Sequence, residues 1–283
     1  MVPDTTYHVN IRPAVDPMKK KEYAWNSEDY AMHSQAQYQW AQEIVQKLGL
    51  AGSESVLDIG CGDGKVTALI GSYLPKGHVT GIDSSIGMIS KSRETYPPSR
   101  YPQFSFIHMD AMDMHFREQF DLAFSNAALH WVSDHSRVLS AVFRSLKEGG
   151  RLFFQMGGRG NAQEIMDIAD AMIHSSPWKQ YFEGFHSPYT FLSADEYRFL
   201  LKRAGFTGIR AELIPKDMAQ DGKEGLAGWI RTTWLPYTER IEEQRRDEFI
   251  SDLANAYMKE YPPDPAGCVH VKMVRLEVEA KKP

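Results

Sequence analysis

A chain of 283 residues, 42% hydrophobic and 24% charged, has the composition of an ordinary globular protein and the length for one large domain, or a domain with a smaller cap. A formal net charge of −5 with no long basic run argues against binding nucleic acid, and the chain shows neither an apolar signal core at its start nor a stretch long enough to span a membrane. Two cysteines far apart, Cys61 and Cys268, and no Cys/His cluster at metal-ligand spacing point to a reduced, cytoplasmic protein without a metal site.

Residues 1–24 read as an arm, punctuated by Pro3, Pro13 and Pro17 and carrying the basic cluster Lys19-Lys20-Lys21. A helix follows, with Ser27 as its cap and an end near Leu48-Gly49. Ala36, Trp40, Ile44, Val45 and Leu48 recur at helical spacing. Tyr30, His33, Ser34 and Gln37 lie upstream of or beside that stripe, as a polar helix face or the inner surface of a lid.

The stretch Val56-Leu57-Asp58-Ile59-Gly60-Cys61-Gly62-Asp63-Gly64-Lys65 is an apolar run that ends in an acid and a glycine-rich turn, with a helix over 65–73 after it. Glycines let backbone N–H groups approach a ligand, and the helix start adds free N–H groups and a partial positive charge. The spacing Gly60-x-Gly62-x-Gly64 departs from the dinucleotide fingerprint, whose third glycine falls where Lys65 stands. A second strand over 78–82 ends at Asp83, where a carboxylate suits a ribose diol. The expected ligand therefore carries a ribose but need not carry a pyrophosphate.

Ser84 and Ser85 can cap a helix over 86–95, with Met88 in its first turns. A strand over 104–108 has Asp110 and Ala111 just past its end, on the edge of an open sheet where ligands bind. A strand over 120–125 runs into Asn126-Ala127-Ala128-Leu129-His130-Trp131, and an asparagine there offers amide and backbone groups to a ligand. A helix over 136–146, with Lys147-Glu148-Gly149-Gly150 as its C-cap, precedes a strand over 151–156 broken by Gly157-Gly158.

Beyond 160, a helix over 162–173 is followed by Trp178, Tyr181, Phe182, Phe185, Tyr189 and Phe191, which form either a small cap core or a binding pocket. Ser193 caps a helix that Gly205 ends, and 207–214 alternates as a strand. Helices around 224–233 and 239–260 follow, the second highly charged and surface-facing, and 270–280 closes the chain as a strand. The division is an arm (1–24), a ligand-binding core with its N-terminal lid helix (25–160), and cap helices with the last strands (161–283).

VLDIGCGDGK followed by VTGIDSSIGMI resembles the S-adenosylmethionine (SAM) site of class I methyltransferases. SNAALHW and LFFQM are similar to the trans-aconitate methyltransferase family, whose members esterify small carboxylic acids. The resemblance implies an α/β, Rossmann-like fold: a seven-stranded, mostly parallel sheet with helices on both faces and a helical cap over the acceptor site. It implies SAM as cofactor, a lid opening matched by Trp25, Asn26 and Tyr30, and contacts from His33 and Gln37 to the methionine end. Asp58, Gly60, Gly62, Asp83, Ser84, Met88, Asp110, Ala111, Asn126 and Ala127 are then cofactor residues, with Met88 against the adenine. His130 and Trp131 stand at the reacting methyl, Trp131 as a substrate wall. Gln155 and Met156 face the acceptor, as do Arg231, which suits a carboxylate, and Trp234.

A carboxylate is already ionised at pH 7 and needs no base, whereas an amine or phenol does. No residue pair announces itself as base and orienter; His33 and His130 are the candidates. This favours O-methylation of a small carboxylic acid, with N-, phenol O- or C-methylation as the alternative. An NAD-linked dehydrogenase is disfavoured by Lys65, and a non-catalytic SAM-binding subunit by the intact turn, Asp83 and Asn126.

Overall fold

The computed structural model describes residues 35–283. The expected arm, the Ser27 cap and Trp25, Tyr30 and His33 lie outside them, and of Gln37 only the helical backbone is described. The described chain opens in α1 (Gln35–Lys47), which buries Trp40, Ala41, Ile44 and Val45.

Seven strands make one sheet in the order β3-β2-β1-β4-β5-β7-β6. They are β1 (Ser55–Ile59), β2 (His78–Asp83), β3 (Phe104–His108), β4 (Phe120–Asn126), β5 (Leu146–Gly157), β6 (Thr207–Asp221) and β7 (Cys268–Lys281). Strands β1 to β5 are parallel, while β7 runs antiparallel to both β5 and β6. Side chains alternate between the faces of a strand, so both faces of a central sheet must be apolar. Val56, Leu122, Phe124 and Phe153 pack on one face with Ile44, Ile70 and Ile89 from α1, α2 (Lys65–Ser72) and α3 (Ile86–Thr95). Their neighbours Leu57, Ala123 and Phe154 pack on the other with α4 (His135–Ser145) and α6 (Ala194–Ala204). Ser193 and Glu196 close a reciprocal capping box at the start of α6, and Gly205, with φ 97°, ends it.

Three expectations are corrected. Gly149-Gly150 does not cap a helix: α4 ends at Ser145, and Leu146, fully buried, already pairs with Phe120 of β4. Gly149 takes its positive φ of 72° inside β5, near a register shift against β4. Strand β6 does not stop at 214 but follows β7 to Asp221. The charged helix α9 (Glu243–Glu260) is surface-facing on one side only, because Phe249, Ile250, Leu253, Ala254 and Tyr257 are buried.

The length of the last antiparallel pair, β6 and β7, explains the cap. Pairing of β7 with β5 stops at Gly157↔Arg275, yet β7 and β6 stay paired as far as Cys268 and Asp221. The outer half of the β6–β7 pair thus projects past the carboxyl end of β5. On it, Met218, Val269, Val271 and Met273 share a core with α5 (Gln163–Ile173), α7 (Gly222–Thr233), the short α8 (Leu235–Thr238) and α9. The cap therefore sits at the carboxyl edge, where α/β sheets bind ligands.

Candidate active site

A cavity of about 880 Å³ lies between that edge and the cap, within the range of small-molecule sites. It opens at the ends of β1, β2 and β4, where the strand order reverses.

The glycine turn forms one wall. Gly60 has φ 75°, and a Cβ there would fall 2.2 Å from Cβ of Ala128, so the turn and the end of β4 close on each other only with glycine at this position. At the end of β2, Asp83 accepts the backbone N–H of Gly62 at 3.0 Å through Oδ2 and that of Ser85 at 2.8 Å through Oδ1. The carboxylate is thereby fixed at the cavity wall. Past β3, Asp110 accepts the N–H of Met112 at 2.9 Å and starts a short turn, Ala111–Asp113. Ala127, beside Asn126, holds φ 54° and donates its N–H to the carbonyl of Gln155 at 2.8 Å. A non-glycine residue in that region is strained, and such strain clusters at functional sites.

The other wall is aromatic. Trp131 meets Tyr189 edge-on at 4.7 Å, and Tyr189 stacks on Phe191 at 5.5 Å. A backbone bond from Thr190 N–H to the His130 carbonyl, 2.8 Å, holds this strap against the end of β4. The Tyr189 hydroxyl donates to the Thr233 carbonyl at 3.3 Å and so ties the strap to α7. Trp229, Trp234, Met166 and Met273 continue the wall.

Two polar groups stand within it. Nδ1 of His130 accepts the backbone N–H of Gly157 at 3.3 Å, so the neutral ring carries its proton on Nε2. Burial, then the charge of Arg275 and that of His135, push the His130 pKa down to about 3. Arg275, 4% exposed, lies over the Trp40 ring at 4.4 Å. Its neighbour on the same face of β7, Glu277, accepts Lys47 of α1 at 3.0 Å and Arg210 of β6 at 2.6 Å.

Of the residues expected from sequence, Gly60, Gly62, Asp83, Ser84, Met88, Asp110, Ala111, Asn126, Ala127, His130, Trp131 and Trp234 line the cavity. Four do not. Asp58 is buried behind the turn, where it accepts the Thr67 hydroxyl at 2.6 Å and pins α2 to β1. Gln155 and Met156 lie within β5, flanked by β4 and β7, so their side chains leave through the faces of the sheet and not its edge. Arg231 lies two positions, about 200°, around α7 from Trp229, on the outer face. It is 46% exposed and stands 3.9 Å from Asp247.

Sequence reasoning missed Arg275 and His186, and left Tyr189 and Phe191 undecided between core and pocket. An arginine set between Val274 and Leu276 in an apolar closing strand was the available signal for the first.

Near the turn the lining carries Asp63, Asp83 and Asp110 against Lys65, which is itself 3.2 Å from Asp63. Such a surface repels a pyrophosphate and suits a cation attached to a nucleoside. This sheet order and this site define a class I SAM-dependent methyltransferase, with SAM as its cofactor.

A model of the methyltransferase domain family matches residues 57–154. The chain is 28% identical to trans-aconitate 2-methyltransferase of Rhizobium etli, over 92% of this chain and 99% of the relative. It is 32% identical to an uncharacterized methyltransferase of Schizosaccharomyces pombe, over 64% and 70% of the two chains. The YcgJ protein of Bacillus subtilis superposes with a TM-score of 0.61 at 15% identity, covering 87% of this chain and 98% of that one. Phosphoethanolamine N-methyltransferase 2 of Haemonchus contortus, solved with S-adenosylhomocysteine, gives 0.59 at 19% identity over 90% and 56%. The chain belongs to the SAM-dependent methyltransferase family, and within it resembles the trans-aconitate methyltransferases over most of its length. Among the described residues no helix is long and apolar enough to cross a membrane.

Proposed function

We propose that this methyltransferase esterifies the carboxylate of a small organic acid. The observation that carries the reading is that His130 and Arg275 both line the cavity. A ring with Nε2 protonated and a pKa near 3, and a buried guanidinium, both donate hydrogen bonds, and neither takes up a proton at neutral pH. Such a pair suits an anion that needs no deprotonation. The full-length similarity to trans-aconitate 2-methyltransferase supports the same reading.

SAM supplies an electrophilic methyl carbon on a positively charged sulfur with a neutral leaving group. What the chain adds is order, which contributes roughly 7–11 kcal/mol in well-aligned reactions. In this reading Asp83 takes the ribose hydroxyls, Asp110 the adenine amine, and Met88 the adenine face. The glycine turn, Asn126 and Ala127 hold the methionine end. Trp131 walls the acceptor, and Arg275 in place of Arg231 anchors its charge.

One observation favours an amine or phenol acceptor instead: His186 is exposed and lines the cavity, and histidine is the side chain that most often serves as a general base. The dependence of kcat/KM on pH separates the two. A carboxylate is ionised throughout pH 6–9, so the profile is flat there. A rising limb that disappears in His186→Ala would replace our reading with the alternative.

A further inference from the structure

We infer that Trp40 of α1 is a positioning residue for the acceptor: its indole holds the guanidinium of Arg275 at the cavity wall, although the ring does not line the cavity itself. The inference rests on the proposed anchoring of the acceptor carboxylate by Arg275 and deepens it. The guanidinium carbon stands 4.4 Å from the centre of the Trp40 ring. Arg275 lines the cavity and Trp40 does not. Both side chains are buried. The charge of Arg275 is felt at His130, which lines the same cavity.

The ring is the fixed partner of the two. Trp40 packs in the core of the cap with Met218, Trp229, Trp234 and Met273. Ile44, one turn further along α1, packs with Val45 in the core on one face of the sheet. One helix thus enters both cores. Ion pairs tie it to the last two strands as well: Lys47 meets Glu277 of β7 at 3.0 Å, and Glu43 meets Lys216 of β6 at 2.8 Å.

An arginine side chain is long and loses much rotamer freedom when it is ordered. Its planar cation stacks on aromatic faces, and the attraction grows where water is excluded. A ring held from both cores therefore limits where the guanidinium can stand. That matters for a carboxylate, which takes two parallel hydrogen bonds only from a fork set at the right angle. Arg275 has interactions besides this one, so the share of the ring is read from a double-mutant cycle.

The test uses the whole protein with SAM. Aliphatic, aryl, di- and tricarboxylic acids are screened by release of S-adenosylhomocysteine, and the acid with the highest kcat/KM is the probe. In Trp40→Leu, KM for that acid rises about tenfold, while kcat and the affinity for S-adenosylhomocysteine stay within about threefold. Trp40→Phe keeps an aromatic face, and its KM rises only about threefold. Arg275→Gln raises KM about tenfold or more. Adding Trp40→Leu to Arg275→Gln raises it by no more than about a further twofold, because the ring then has no guanidinium to hold. Should Trp40→Leu fail to fold, Trp40→Phe in both backgrounds gives the same comparison.

A residue that only supports the fold acts by the same factor with and without Arg275. Equal factors in the two backgrounds, or an unchanged KM in Trp40→Leu, overturn the inference and leave Arg275 as the anchor. An unchanged KM in Arg275→Gln overturns the anchor and the inference together. Failure of every acid in the panel to accept a methyl group overturns the carboxylate reading and this inference with it.

Discussion

Gly157 donates its backbone N–H to Nδ1 of His130 at 3.3 Å, and this bond makes Nε2 the protonated nitrogen of the ring. With a pKa pushed down to about 3 by burial and by Arg275, the ring is neither a cation nor an available base at neutral pH. In the proposed reading its task is to present an N–H.

His130→Asn keeps an acceptor for Gly157 and removes the imidazole. Loss of a true general base costs about 10²–10⁴-fold. The expected loss in kcat/KM is smaller, about tenfold, with no inflection between pH 5 and 8 that the substitution abolishes. A thousandfold loss, together with a limb that vanishes in the variant, contradicts the donor role.

Asp83→Ala removes the acceptor of two backbone N–H groups and the proposed ribose contact. Hydrogen bonds to a charged group are worth about 1.5–3 kcal/mol, so affinity for S-adenosylhomocysteine falls roughly ten- to hundredfold. Calorimetric titration reads this directly. Unaltered affinity sinks the assignment.

Trp131→Ala takes away the ring that Tyr189 meets at 4.7 Å and opens the proposed acceptor wall. Turnover falls by about tenfold or more while S-adenosylhomocysteine affinity stays within about threefold, because ordering of the acceptor and not of the cofactor is lost. Steady-state kinetics beside calorimetry tests the split; equal losses in both place Trp131 on the cofactor side.

Burial pushes the Asp58 carboxyl up to about 7. From about pH 4, where an unfolded Asp titrates, to about pH 7, the folded protein holds a proton that the unfolded chain has lost, so this residue's contribution to stability falls as pH rises. His135, buried with a pKa near 4, acts in the opposite sense: the unfolded chain takes up a proton below about 6.5, and stability falls as pH drops from there toward 4. Asp58→Asn keeps an acceptor for the Thr67 hydroxyl and removes the first effect. Measured by urea unfolding, the variant gains on the wild type between pH 5 and pH 8; a difference in midpoint that does not change with pH contradicts the buried-acid account.

Asp83, Asp110 and Asn126 could be placed at the cavity from sequence because Asp83 and Asn126 end parallel strands and Asp110 lies just past one, and the ends of parallel strands share one edge wherever the helices fall. The aromatic strap was illegible: Tyr189 and Phe191 owe their place to the backbone bond between Thr190 and His130, which the chain order does not announce. Arg275 reaches the cavity because β7 turns antiparallel and outruns β5, so its position depends on a register between distant segments. Gln155 and Met156 misled for a related reason. They lie short of the end of β5, which runs on to Gly157, and are buried between β4 and β7. Arg231 misled through helical phase, since Trp229 and Thr233 take the inner face of α7.

The most direct test follows the methyl group itself. The protein is incubated with SAM carrying an isotopic label in the methyl group and with a small carboxylic acid, and the product is treated with mild alkali. The account predicts label released as methanol, the signature of a methyl ester. Label that enters the product and survives alkali, as in an N-methyl, aryl ether or C-methyl compound, contradicts it.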